Sequence, residues 1–127
     1  MNKKEVEVVA AVIKKSNLFY LVQRPFNREV GGKWEFPGGK IEIGESKEQA
    51  LAMELKEELN IEVMINNHIL TSDYEYNAFK IRIHFYECKI KNGISKVTEH
   101  INEKWLLKSQ IEKIDLASAD IAVLNYF

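Results

Sequence analysis

The sequence predicts an α/β (α+β) fold, a mixed β-sheet packed between helices, formed as a single domain over residues 1–127. Three observations support that expectation. Much of the chain reads as runs of β-branched and aromatic residues with strand-like periodicity. One long, well-capped helix interrupts those runs just after a double glycine. A second helical signal closes the chain.

In chain order, Val6 to Lys14 and Leu18 to Arg24 are β-rich runs joined at Lys15-Ser16-Asn17, a hairpin. Pro25 to Gly32 is a polar loop ending in Gly31-Gly32, of a kind that can move over a cleft. Trp34-Glu35-Phe36 is strand-like and runs into a glycine loop at Gly38-Gly39. Ser46 with Gln49 three residues later is a capping box, which starts a helix over 47–59. Leu51, Leu55 and Leu59 form its apolar stripe, and Asn60 suits the left-handed residue that ends a helix. Ile61 to Ile65 predicts a short strand, Asn66-Asn67 a turn, and Ile69 to Tyr76 with Phe79 to Ile90 a second hairpin. Phe79, Ile81, Ile83 and Phe85 alternate with Lys80, Arg82 and His84, the period of a half-buried sheet. Asn92-Gly93 predicts a tight turn and Lys104 to Leu107 a final strand. Ser109 is expected to cap a short helix to Ile114, and Ser118 a C-terminal helix carrying Asp120.

Composition narrows the function. The chain is 46% hydrophobic and 29% charged, which is ordinary for a globular domain. Its net charge of −1 argues against a surface that coats nucleic acid and fits a small anionic substrate met by local cations. The single cysteine, Cys88, excludes an internal disulfide, and its place after an apolar strand favours a packed side chain over a reactive thiol. The N-terminal apolar run is too short for a signal peptide core, and no window approaches a membrane span. A cytoplasmic location, with no membrane partner, is the expectation.

The chemistry is concentrated between Gly38 and Ile61. Glu54, Glu57 and Glu58 lie three and four residues apart, within an arc of about 100° on a helix. Like charges so placed repel, and a solvated helix face is the ordinary outcome. Behind a glycine loop and a capped helix start, the same charges suit a hard divalent cation, Mg²⁺ or Mn²⁺.

This segment resembles the Nudix box: Gly, five residues, Glu, seven residues, then Arg-Glu-apolar-any-Glu-Glu-any-Gly-apolar. Gly39, Glu45, Glu54, Leu55, Glu57, Glu58 and Ile61 take fixed places in it. Met53 stands where the family has Arg, and Asn60 where it has Gly. The family's Arg pairs with and orients the glutamates, so its loss bears on rate more than on fold. WEFPGGKIEIGES preceded by Gln23-Arg24, Glu99-His100 followed by Trp105, and Leu116-Ala117-Ser118-Ala119-Asp120 are similar to the MutT-like branch. That subgroup contains 8-oxo-dGTP diphosphatases and CTP pyrophosphohydrolases.

The resemblance implies an α/β/α sandwich with the box helix packed on a mixed sheet. It also implies Mg²⁺-dependent hydrolysis of a nucleoside triphosphate to the monophosphate and pyrophosphate, in nucleotide-pool sanitation. The Gly38 carbonyl with Glu54, Glu57 and Glu58 would hold the metal, and Glu54 has the alternative role of orienting the attacking water. Glu45 is either a capping charge at the helix start or a group with a chemical role. Glu99 is either an exposed loop acid or an auxiliary ligand or base. Arg24, Lys40 and Gly39 are the candidate phosphate partners, whereas Lys80 and Arg82 are expected to be solvated. Asp120 takes the place of a base-binding Asn or Asp; ionised it only accepts hydrogen bonds, and protonated by burial it can also donate. Phe36, Tyr74, Tyr76 and Phe79 can stack a base or simply pack. Two other functions stay open: a nucleotide sensor whose catalysis Met53 has weakened, and a hydrolase of another nucleoside diphosphate-linked compound. The chain is expected as a monomer or homodimer.

Overall fold

The apolar run 8–13 is the spine of the molecule. In the computed structural model, which describes residues 3–25, 31–92 and 102–127, it lies within strand β1 (Lys4–Lys15). Val9, Ala11 and Ile13 face one side of the sheet, Ala10 and Val12 the other, and all five are buried. A strand covered on both faces has no polar side to show, so its sequence is apolar throughout.

The remaining elements are β2 (Leu18–Gln23), β3 (Trp34–Glu35), β4 (Gly38–Lys40), α1 (Lys47–Leu59), β5 (Glu62–Glu75), β6 (Phe79–Asn92), β7 (Glu103–Leu106) and α2 (Lys108–Ile111). A 3₁₀ turn (Ser118–Asp120) and α3 (Ile121–Leu124) follow. The sheet has seven strands in the order β3-β2-β1-β6-β5, with β4 also paired to β1 and β7 to β2. It is mixed, because β1 runs parallel to β6 while every other pair is antiparallel. One face carries α1, whose Ala50, Leu51, Leu55 and Leu59 pack on Val9, Ala11, Ile13, Tyr86 and Cys88. The other face carries Ile111, Ala119, Val123 and Leu124 from the C-terminal elements, packed on Ala10, Val12, Ile83 and Phe85. The expected helix–sheet–helix sandwich is therefore the observed one.

One detail of the sheet creates the cleft. One edge of β1 is shared: β2 pairs with it at Lys14 and Lys15, and β4 pairs at Val8 to Ala10. Between these points β2 leaves β1 and joins β3 and β7, opening a fork into which β4 and the first residues beyond it fit.

Some local expectations are corrected. Asn66-Asn67 is not a turn; β5 continues through it, with register irregularities between Ile65 and His68 and between His68 and Leu70. Two polar residues that favour turns are absorbed instead as a bulge in an edge strand. Gly38-Gly39 forms a short strand rather than a loop, because lateral pairing with β1 is available. Ser109 lies inside α2, whose N-cap is Leu107, and the helix ends at Ile111. Ser118 begins a 3₁₀ turn with no side-chain cap, and Asp120 lies in that turn rather than in α3. His84, read as solvent-facing, is 7% exposed. Glu99, the Asn92-Gly93 turn at Gly93, and most of the Pro25 to Gly32 loop lie outside the described residues.

Candidate active site

Local chemistry sets both ends of α1. Ser46 Oγ accepts the Gln49 N–H at 3.1 Å, and Gln49 Oε1 accepts the Ser46 N–H at 2.9 Å. At the other end Asn60 is left-handed at φ 56° and its N–H bonds the Lys56 carbonyl. With Leu51, Leu55 and Leu59 buried, the helix has one rotation available. It leaves Glu57 exposed and sets Glu54 and Glu58 half-buried at the fork.

Two glycines let the carboxylates approach the sheet. A Cβ on Gly38 would lie 2.0 Å from the Val9 carbonyl oxygen, so β4 can run this close to β1 only without a side chain. A Cβ on Gly39 would lie 2.4 Å from Glu54 Cδ, so the Glu54 carboxyl occupies the space a side chain there would fill. Burial raises the Glu54 carboxyl above the usual carboxylate range; a hydrogen bond with Glu58 opposes this, and the charges of Glu57, Glu45 and Glu42 add to it. Among the described residues, no cation figures in these influences. Met53, in the place of the family's Arg, is 53% exposed.

Glu54 and Glu58 line a groove of about 280 Å³, together with Gly38, Gly39 and Lys40. The groove runs along β1 and β6 over Val6, Val8, Ile81 and Ile83 and reaches Phe36, Tyr76 and Asp120. Asp120 is 3% exposed, and its Oδ2 accepts the Phe36 N–H at 2.8 Å. Burial first, and the Glu35 charge second, push its carboxyl well above the usual range, against the Phe36 N–H and Arg24. In its protonated form such a carboxyl both donates and accepts.

The sequence candidates are distributed as follows. Glu54, Glu58, Gly38, Gly39 and Lys40 line the groove, with the Glu54 carboxyl against Gly39, and so do Asp120, Phe36 and Tyr76, with Asp120 on the Phe36 N–H. Arg24 also lines it; its Nη1 pairs with Glu35 Oε1 at 3.2 Å and its charge acts on Asp120. Glu57 and Glu45 do not line the groove. The Glu45 carboxyl accepts the Glu42 N–H at 2.9 Å, bracing the turn before α1. Phe36 is 2% exposed and meets Phe19 and Phe85 edge-on, so its ring belongs to the core. The Tyr76 ring contacts Tyr74 and Phe79, and its hydroxyl accepts the Ala119 N–H at 3.1 Å. Sequence reasoning missed Glu35 and Glu42. Each places a charge on another carboxyl through space, for which a sequence carries no signal.

Among the described residues, no three acidic, histidine or cysteine side chains converge closely enough to hold a metal ion by themselves. Glu54 and Glu58 do meet, through the hydrogen bond they share. The donor set is carboxylate and carbonyl oxygen, which fits a hard divalent cation, and such a cation would relieve the repulsion that the Glu54 carboxyl feels.

Comparison with known proteins agrees with this architecture. A sequence model of the NUDIX domain matches residues 8–126. The chain is 36% identical to the CTP pyrophosphohydrolase of Escherichia coli (strain K12) over 124 residues, 98% of this chain and 92% of that protein. It is 40% identical to an 8-oxo-dGTP diphosphatase of Proteus vulgaris over 87 residues, 68% of this chain and 78% of that one. Among solved structures, it resembles the MutT protein of Methanosarcina mazei Go1 with a TM-score of 0.86, 25% identity, and coverage of 99% of this chain and 92% of that one. With its carboxylate helix, glycine strand and sandwich in place, the chain belongs to the Nudix family, in the MutT-like branch of its hydrolases.

Proposed function

We propose that the protein hydrolyses a nucleoside triphosphate, a cytidine or oxidised guanine nucleotide, to the monophosphate and pyrophosphate, with Mg²⁺ as cofactor. The supporting observation is that a single groove is lined both by the acidic oxygens of Glu54 and Glu58 and by the buried Asp120, whose carboxyl burial pushes well above the usual range. A polyphosphate tail and a base need both kinds of group at once. The relatives named for CTP and for 8-oxo-dGTP support the substrate class.

Glu54, Glu58, the exposed Glu57 and the Gly38 carbonyl would hold the ion, with Mn²⁺ as a substitute. When bound, it supplies charge neutralisation at the phosphates and a more acidic water. Gly39 keeps the Glu54 carboxyl against the sheet, where it either binds the ion or orients water. Lys40, exposed where it lines the groove, meets phosphate charge. Asp120 donates to and accepts from the base edge, and the apolar walls from Val6 to Ile83 exclude water around the nucleoside.

Pyrophosphate release from a panel of ordinary and oxidised triphosphates with Mg²⁺ tests the reading. Turnover of at least one of them is expected, and Glu57→Gln is expected to lower it by orders of magnitude with the melting temperature unchanged or higher. A nucleotide that protects the fold against heat but is never turned over would favour the sensor reading, for which the exposed Met53 is the motivating observation. An undiminished rate in Glu57→Gln would overturn the metal assignment.

A further inference from the structure

On the α1 side of the sheet, away from the groove, two imidazoles aim at one point. Thr71 Oγ1 lies 2.9 Å from His84 Nδ1 and 2.9 Å from His68 Nε2. The second nitrogen of His84, Nε2, lies 2.7 Å from Glu7 Oε1. A carboxylate only accepts, so Nε2 of His84 carries the proton, and in the neutral ring Nδ1 is then the nitrogen whose lone pair faces Thr71.

The bulges of β5 bring these residues together. His68 pairs with Tyr86, Leu70 with Phe85 and Ile65 with Cys88, so β5 carries one extra residue on each side of His68. Val63 and Ile65 pack on the α1 side, whereas Ile69 and Leu70 both pack on the opposite core. In a regular strand His68 and Thr71 would point to opposite faces. The two irregularities turn His68 to the α1 side and keep Thr71 beside it, as bulges do where a side chain must be re-aimed.

We propose that His68 and His84, with Thr71 Oγ1 beside them and water completing the shell, form a binding site for a borderline divalent transition metal of the Zn²⁺, Cu²⁺ or Ni²⁺ type. Imidazole nitrogen selects these ions over Mg²⁺, which the carboxylates of α1 prefer. Glu7 supplies what a metal-binding histidine needs behind it, a carboxylate that fixes tautomer and ring orientation. His84 is buried and held, while His68 is exposed and can exchange its ring proton with solvent, giving the ion a way in. An occupied site would tie β5 to β6 at the bulge and, through Glu7, to β1. The site is independent of the proposed hydrolysis, since none of its residues lines the groove.

The test is calorimetric titration of Zn²⁺ into untagged protein saturated with Mg²⁺, so that the carboxylates of α1 are already engaged. One Zn²⁺ is expected to bind per chain and to raise the melting temperature. His68→Ala, a change at an exposed position, is expected to abolish that binding with the Zn²⁺-free melting temperature preserved. Glu7→Gln is expected to weaken it by about tenfold or more. Glu57→Gln is expected to leave it unchanged. Absence of Zn²⁺ binding, undiminished affinity in His68→Ala, or loss of binding in Glu57→Gln would each overturn the proposal.

Discussion

Asp120 shows how a single side chain changes character with its surroundings. As a sequence residue it is an ordinary acid near the C-terminus; in the fold it is buried, and burial holds its carboxyl well above the usual carboxylate range. A raised acid has a definite sign in stability. Below the unfolded value both states are protonated and the group contributes nothing. As pH rises past it, the unfolded chain ionises while the folded chain does not, so stability falls until the folded group also ionises. Asp120→Asn keeps an acceptor for the Phe36 N–H and removes the titration. Its melting temperature should match the wild type near pH 4 and exceed it increasingly toward neutral pH, followed by calorimetry across that range. A constant difference would mean that Asp120 is ionised in the folded protein. The two glycines make a second contrast at this scale. Gly38→Ala collides with backbone at 2.0 Å and should destabilise the fold, by about 2 kcal/mol or more in denaturant titration. Gly39→Ala meets only the flexible end of Glu54, so its stability should stay near the wild type while turnover falls at least tenfold.

Among the elements, α1 is the one whose local signals and tertiary role coincide. Its capping box, leucine stripe and left-handed Asn60 are all as expected from the residues. Each depends on neighbours within four positions, which is why they were legible. Ser46→Ala removes the acceptor for Gln49 N–H and should lower stability by about 1 kcal/mol, or about 4 °C in melting temperature. A change within error would mean that packing alone holds the helix start. Strand β5 is the opposite case. Its Asn66-Asn67 signal is a sound turn signal, overridden because β6 offers a continuous antiparallel partner from Lys80 to Asn92. The short C-terminal elements also departed from expectation, since the backbone of Trp34 and the packing of Ala119, Val123 and Leu124 place them more than any cap does.

At the scale of the whole molecule, the sheet has a covered centre, two packed faces and a fork. The fork brings residues from β1, β3, β4, β6 and α1 and the 3₁₀ turn to one groove. Acidic groups gathered this way make the metal-free protein less stable than it can be. Mg²⁺ that binds the folded chain alone should stabilise it by about 2.7 kcal/mol at a hundredfold excess over its Kd. The expected rise in melting temperature should be smaller in Glu57→Gln. An equal rise in both proteins would place the ion elsewhere.

The identity of the carboxylate helix, its caps and the covered first strand were determined by the sequence itself, because spacing of charge, apolar side chains and capping groups acts over a few residues. The groove was decided only by tertiary structure. Asp120 is 84 positions from the Phe36 N–H it accepts from. Glu35 and Arg24, which act in opposite senses on its carboxyl, are farther away still in the chain. Burial and field depend on distance through space, and the path that brings these groups together is the parting of β2 from β1, a property of strand pairing rather than of any local run of residues.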